Sequence, residues 1–142
     1  MESIGHATTN QHLRKPISVA ELMTAAPHTI GSHETLEAAH RVMRKHSLRH
    51  LPVLRGGRLV GVLSQRDLYF VESLAGVDTE IDTVTDAMSA DVFTVAPGDC
   101  IRDVARTMAE RKLGCAVVVD RGVVVGIFTA TDALRHLAES LQ

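Results

Sequence analysis

Residues Val19 to Tyr69 lie over Val84 to Leu134 without a gap, a self-repeat at an interval of 65 positions. The clearest match closes the copies: Gly61-Val62-Leu63-Ser64-Gln65-Arg66-Asp67 stands over Gly126-Ile127-Phe128-Thr129-Ala130-Thr131-Asp132. Self-similarity at a fixed spacing means two structural units, and a unit of about fifty residues alone buries too little apolar surface to be secure. The copies are therefore expected to share a core within one compact domain of 142 residues. An ending of Gly-apolar-apolar-Ser/Thr-x-x-Asp written twice offers two related polar sites, not one active centre.

Each copy carries the same order of signals. A short helical turn comes first, Val19-Ala20-Glu21-Leu22-Met23 or Val84-Thr85-Asp86-Ala87-Met88, then a short strand at Thr29-Ile30 or Thr94-Val95. Leu36, Ala39 and Met43, and in the second copy Ile101, Val104, Ala105 and Met108, recur at spacings of three and four, the mark of one apolar helix face. Two strands follow in each, Leu51–Leu54 with Leu59–Leu63 and Ala116–Val119 with Val123–Phe128, joined by Gly56-Gly57 and Asp120-Arg121-Gly122. Pro52 lacks a ladder donor and is expected at the start or edge of its strand. Closing helices are expected from Asp67 to about Ala75 and from Asp132 to about Ser140. The fold class is α+β, two β-α-β-β-α repeats: an N-terminal arm over 1–18, a first repeat over 19–75, a linker over 76–83 and a second repeat over 84–142.

The bulk properties remove several function classes. A hydrophobic fraction of 45% with 23% charged residues is that of a folded globular chain. A net charge of −2 gives no broad basic field, so neither nucleic acid nor an anionic membrane is an expected partner. The start, Met1 to Asn10, lacks the basic region and apolar run of a secretory signal, and no stretch is long enough to span a bilayer, so a cytoplasmic location is expected. Cys100 and Cys115 show no C-x-x-C spacing and read as free thiols.

Ser64 and Asp67 have the spacing of a capping box, as do Thr129 and Asp132: the hydroxyl takes a free N–H and the carboxylate answers it, a contribution of about 0.5–2 kcal/mol. The same geometry serves a ligand. A helix N-terminus attracts an anion, the hydroxyl can join it on a phosphate, and an outward Asp can accept both hydroxyls of a ribose. Gly61 and Gly126 interrupt apolar strands, which suits close approach by another backbone, by packing or by a ligand.

The whole repeat, from the Met that ends the first turn through Leu-Pro-Val-Leu to Gly-apolar-apolar-Ser/Thr-x-x-Asp, resembles the cystathionine β-synthase (CBS) domain, and two in tandem resemble a CBS pair, or Bateman module, over residues 19 to 136. The resemblance implies two units about a pseudo-twofold axis, with two clefts that accept adenosine compounds such as AMP, ADP, ATP, S-adenosylmethionine or NADH. It also implies composite clefts. One would combine Met23, His28, Leu48 and Arg49 with Ile127, Thr129, Thr131 and Asp132; the other Met88, Phe93, Leu113 and Gly114 with Val62, Ser64, Arg66 and Asp67. Asp132 would hold ribose in the first, with Thr129 and Thr131 on phosphate. In the second, Arg66 adds a cation beside the phosphate, with Arg49 in reach, so this cleft should favour the more anionic ligand. Two bland readings stand beside these: Arg66 as a solvated first-turn charge and Phe93 as a core residue. Where the first copy has Leu51-Pro52 and Arg49, the second has Ala116-Val117 and Gly114, and the cleft with Asp132 could take uncharged adenosine or nothing.

His46 and His50 would share a face if helical, but a zinc or nickel site needs three or four ligands and the helix must end before Leu51, so no metal is expected. No Ser-His-Asp order, paired catalytic carboxylates or Walker-type loop appears, so the chain is not expected to be an enzyme or to require a cofactor. Two readings remain. One is an energy-sensing regulatory module, a homodimer signalling to a regulated protein; the other is a ligand-free dimerisation scaffold with vestigial clefts.

Overall fold

The computed structural model describes residues 15–141. Most of the N-terminal arm lies outside that range. The element order is α1 (Val19–Leu22), β1 (Thr24–Ala25), β2 (Ile30–Gly31), α2 (Leu36–His46), β3 (His50–Arg55), β4 (Arg58–Ser64) and α3 (Gln65–Glu72). The second copy follows with a 3-10 turn (Val84–Asp86), β5 (Thr94–Val95), α4 (Ile101–Arg111), β6 (Cys115–Asp120), β7 (Val123–Thr129) and α5 (Ala130–Ser140).

The two long first helices form where the apolar spacing places them. Leu36, Ala39 and Met43 are the buried residues of α2, and Val104 and Met108 those of α4. Both helices stop the same way: Ser47 (φ 54°) and its counterpart Lys112 (φ 57°) turn left-handed. Leu48 and Leu113 then fold back and donate to the carbonyls of Met43 and Met108 at 2.9 and 2.8 Å, burying their side chains against the core as in a Schellman ending.

Each hairpin is antiparallel, with β3 on β4 and β6 on β7, and each is flanked by a parallel short strand, β2 on β3 and β5 on β6. Pro52 sits neither at the start nor at an edge: it is the third residue of β3, the central strand of β2-β3-β4, and is fully buried. The Arg49 carbonyl accepts from Gln65 on the β4 side, so alternate residues Leu51 and Val53 turn their backbone toward β4 and Pro52 turns away. β2 begins opposite Val53, so no strand asks for the donor that proline lacks.

The repeats are interlocked through their opening turns. Val84 and Ala87, from the second copy, are buried in the core built by Ile30, Leu36, Met43, Leu51, Val53, Leu63 and Leu68 of the first. Val19, from the first copy, is buried in the core built by Val95, Val104, Met108, Ala116, Val118 and Phe128 of the second. Backbone bonds repeat the exchange: Val19 donates to Asp99 O and Val84 to Glu34 O, both at 2.8 Å, while Leu36 donates to Asp82 O and Ile101 to Ile17 O at 3.0 and 2.8 Å. Neither copy completes its own core, the physical content of the shared core expected from the repeat length.

Candidate functional site

The crossing continues into the clefts. β1 of the first copy pairs antiparallel with β7 of the second, Thr24 opposite Ile127 and Ala25 opposite Gly126, which makes it the edge of the four-stranded sheet β1-β7-β6-β5. In the related cleft Ser89 forms a single bridge with Val62, donating and accepting at 2.9 Å. The methionines before these contacts explain the strand glycines. A Cβ on Gly61 would lie 2.6 Å from Met88 Sδ and 2.9 Å from the Ser89 carbonyl, and one on Gly126 would run into the Met23 side chain. Packing by the opposite copy accounts for both glycines.

Ser64 and Thr129 are the N-caps of α3 and α5. Ser64 Oγ accepts from Asp67 N at 3.0 Å, and Thr129 Oγ1 accepts from Asp132 N at 3.1 Å. The carboxylates differ. Asp132 closes its box, accepting from Thr129 N at 2.9 Å, and its other oxygen takes Arg135 Nη1 at 3.2 Å. Asp67 returns no bond to Ser64, and among the described residues it has no ion-pair partner. Arg66 is exposed on the first turn of α3, and Thr131 is exposed on that of α5.

Leu48 and Arg49 adjoin the cap of their own copy, as Leu113 and Gly114 adjoin theirs, while Gly114 also lies against His50, the residue opposite Ser64. Gln65 N donates to Arg49 O at 2.8 Å and Ala130 N to Gly114 O at 2.9 Å, so each pair stays beside the Ser/Thr-x-x-Asp of its own copy. Hairpin register imposes this, because the residue before β3 must meet the residue after β4. Arg49 therefore stands on the Asp67 side, and that end gains a second cation.

His50 is a residue that sequence reading weighed only as a metal ligand. Its ring lies against Gly114 of the other copy, where a Cβ would fall 2.5 Å from Nε2. Burial, and then Arg49, push its pKa below the usual histidine value, with Asp67 acting the other way. The signal was present in the sequence: Gly114 replaces Arg49 across the repeat, leaving room for the ring.

His28 stacks on His46 with centroids 3.7 Å apart, and the equivalent pair in the second copy is Phe93 with the Arg111 guanidinium 5.7 Å from its centroid. Arg111 also approaches Asp91 at 3.6 Å. Phe93 is thus half-buried beneath a cation, on the fringe of the second core. α2 ends at His46 and His50 begins β3, so the two do not share a helix face. Among the described residues no group of three or more His, Cys, Asp or Glu could hold a metal ion, and no helix is long and apolar enough to cross a membrane.

Comparison with known proteins bears on the whole pattern. The CBS domain family matches twice, over residues 19–72 and 84–139. Hypoxic response protein 1 of Mycobacterium tuberculosis is 32% identical over 120 residues, 84% of each chain. A putative acetoin utilization protein (AcuB) from Vibrio cholerae has a solved structure similar at a TM-score of 0.81 and 33% identity, covering 89% of this chain and 94% of that one. The CBS domain pair of protein MJ0100, solved in complex with 5-methylthioadenosine and S-adenosyl-L-methionine, is similar at a TM-score of 0.81 and 25% identity, covering 89% and 99%. With both copies matched and their opening turns exchanged as the repeat requires, the chain belongs to the CBS domain family as a tandem pair of CBS domains.

Proposed function

We propose that this pair is a regulatory module that takes an adenosine-containing ligand between its repeats and passes the occupancy on to a regulated protein, with no catalytic step of its own. AMP, ADP or ATP is the favoured class, ahead of S-adenosylmethionine or NADH. The favoured cleft carries Ser64, Arg66 and Asp67, flanked by Arg49, Val62, Met88 and Phe93. The observation that carries the reading is the uncommitted Asp67 carboxylate. It can accept both ribose hydroxyls without breaking a cap, while the N-terminus of α3, Arg66 and Arg49 favour phosphate. Asp132 has both oxygens engaged, so a ligand there must displace the bond from Thr129 N or from Arg135. The second cleft, with Met23, His28, Ile127, Thr129 and Thr131, is the weaker or uncharged-ligand site. The adenosine compounds bound by the MJ0100 domain pair support the class of ligand.

Thermal shift on ligand-free protein with AMP, ADP, ATP, S-adenosylmethionine and NADH tests this. A ligand at one hundred times its Kd should stabilise by about 2.7 kcal/mol. Asp67→Ala should abolish that shift and Asp132→Ala should leave most of it; no shift with any of the five refutes the sensing reading.

A homodimer is part of the proposal. α5 buries none of its residues, and Leu134, Leu137 and Leu141 are exposed on or beside it, as are Tyr69, Phe70 and Leu74 on or beside α3. Such an apolar face favours a second copy as its cover, and α3 carries both this face and the ligand-side cap. The same face supports the scaffold reading, in which dimerisation occurs without any ligand. Light scattering of the wild type against Phe70→Glu checks it, with a monomer expected for the variant.

A further inference from the structure

The hairpin tips carry an unbalanced cluster of arginines. Arg55 stands directly opposite Arg58 across the β3–β4 turn, and like charges so placed are destabilising. The equivalent pair in the second copy, Asp120 opposite Val123, has no such clash. Arg121 adds a second unfavourable choice. It holds φ 52° in the β6–β7 turn, where the first copy uses Gly56 at φ 57°. Left-handed backbone is strained for a side-chain-bearing residue, and the sister turn has the glycine that avoids it.

Both choices involve an arginine that lines one cavity. Arg58 from one copy and Arg121 from the other line a space of about 490 Å³ with Leu59, Thr94, Val119 and Gly122. Among the described residues no carboxylate lines it, although Asp120 is adjacent in sequence. Among the described residues none of Arg55, Arg58 and Arg121 pairs with an acid. Arg58 and Ser64 are opposite ends of β4, roughly 20 Å apart along the strand, so this cavity is separate from the capped helix.

We infer that Arg58 and Arg121 form a second anion site, bridging the two repeats, for a multiply charged phosphate oxyanion of the pyrophosphate or polyphosphate class. Guanidinium forks grip phosphate oxygens through paired, charge-assisted hydrogen bonds, and the Thr94 hydroxyl can add a donor. A bound dianion also relieves the Arg55–Arg58 repulsion.

Calorimetric titration of inorganic pyrophosphate into the full chain at low ionic strength is the test. Binding is expected for the wild type, weakened by added salt and still present in Arg66→Gln, where the capped cleft has lost one of its cations. Arg58→Gln with Arg121→Gln should weaken it by at least about tenfold while circular dichroism stays native. Arg121→Gly, which restores the residue of the sister turn, should raise the thermal midpoint yet weaken pyrophosphate. A free oxyanion and the tail of a nucleotide share this chemistry, and ATP added to Arg66→Gln separates them: displacement of pyrophosphate assigns the tail, and none assigns the free ion. No binding at millimolar pyrophosphate, loss of binding in Arg66→Gln, or undiminished binding in the double variant overturns the inference.

Discussion

The two ends of the repeat use one motif in two states. At Thr129-x-x-Asp132 the capping hydroxyl and both carboxylate oxygens are engaged by their own helix, whereas at Ser64-x-x-Asp67 the hydroxyl caps and the carboxylate is left over. The duplicated motif thus differs in commitment: one copy engages its carboxylate in the fold, and the other leaves it available to the ligand we propose. The cations divide likewise, with Arg49 and Arg66 at the open end and Gly114 and Thr131 at the closed one.

The largest effect should come from breaking the exchange of turns on which both ends depend. Val19 and Val84 are fully buried, each in the core of the opposite copy. Val19→Asp or Val84→Asp buries an unpaired carboxylate and should destabilise the whole molecule by more than about 4 kcal/mol. Denaturant unfolding of either variant should remain a single transition. Two separated transitions, with one copy melting unaffected, would show that the cores are independent.

The glycines come next and should not be equal. At Gly61 an added methyl meets the Ser89 carbonyl as well as Met88, and backbone yields little; at Gly126 the three nearest atoms all belong to the flexible Met23 side chain. Gly61→Ala should destabilise by about 1–3 kcal/mol and Gly126→Ala by less. Equal losses by thermal denaturation would mean that the two crossings are equally tight. The caps rank below: Thr129→Ala, which dismantles a closed box, should destabilise by about 1–2 kcal/mol and Ser64→Ala by roughly half that. A reversed order would put the committed carboxylate at the wrong end.

How much of this could be read from the chain depends on the range of the contact. α2 and α4 declare themselves because their apolar spacing is local, and Ser64 and Thr129 because a cap spans three residues. The hairpins followed from Gly56-Gly57 and Gly122. β1 was missed: Thr24-Ala25 is too short to carry a pattern, and its partner is Ile127-Gly126 in the other copy. That Arg49 adjoins the cap of α3 was only half legible, because linear order does not say which helix end a pre-strand residue meets; hairpin register does. Pro52 misled because a central strand still has one unpaired stretch where its neighbour has yet to begin.

The smallest predicted effect sets His50 against Cys115, which occupy the same position in the two copies. Burial depresses the His50 pKa below 6.5 and raises that of Cys115 to about 11. Cys115 is therefore neutral, folded or unfolded, throughout the mildly acidic range. His50 is not equivalent, because the unfolded chain takes up its proton near the ordinary value while the folded chain resists it. Stability linked to His50 is present above the unfolded value and is lost as pH falls through it toward the depressed folded one. The wild-type thermal midpoint should therefore drop between pH 7.5 and 5.5 by more than that of His50→Gln, and Cys115→Ser should track the wild type. His46, whose pKa is also lowered by burial, contributes with the same sign and is unaltered in both variants, so the difference isolates His50. Parallel curves for His50→Gln and wild type would mean that the imidazole over Gly114 is solvated enough to titrate freely, and that the end with two arginines tolerates a third positive charge.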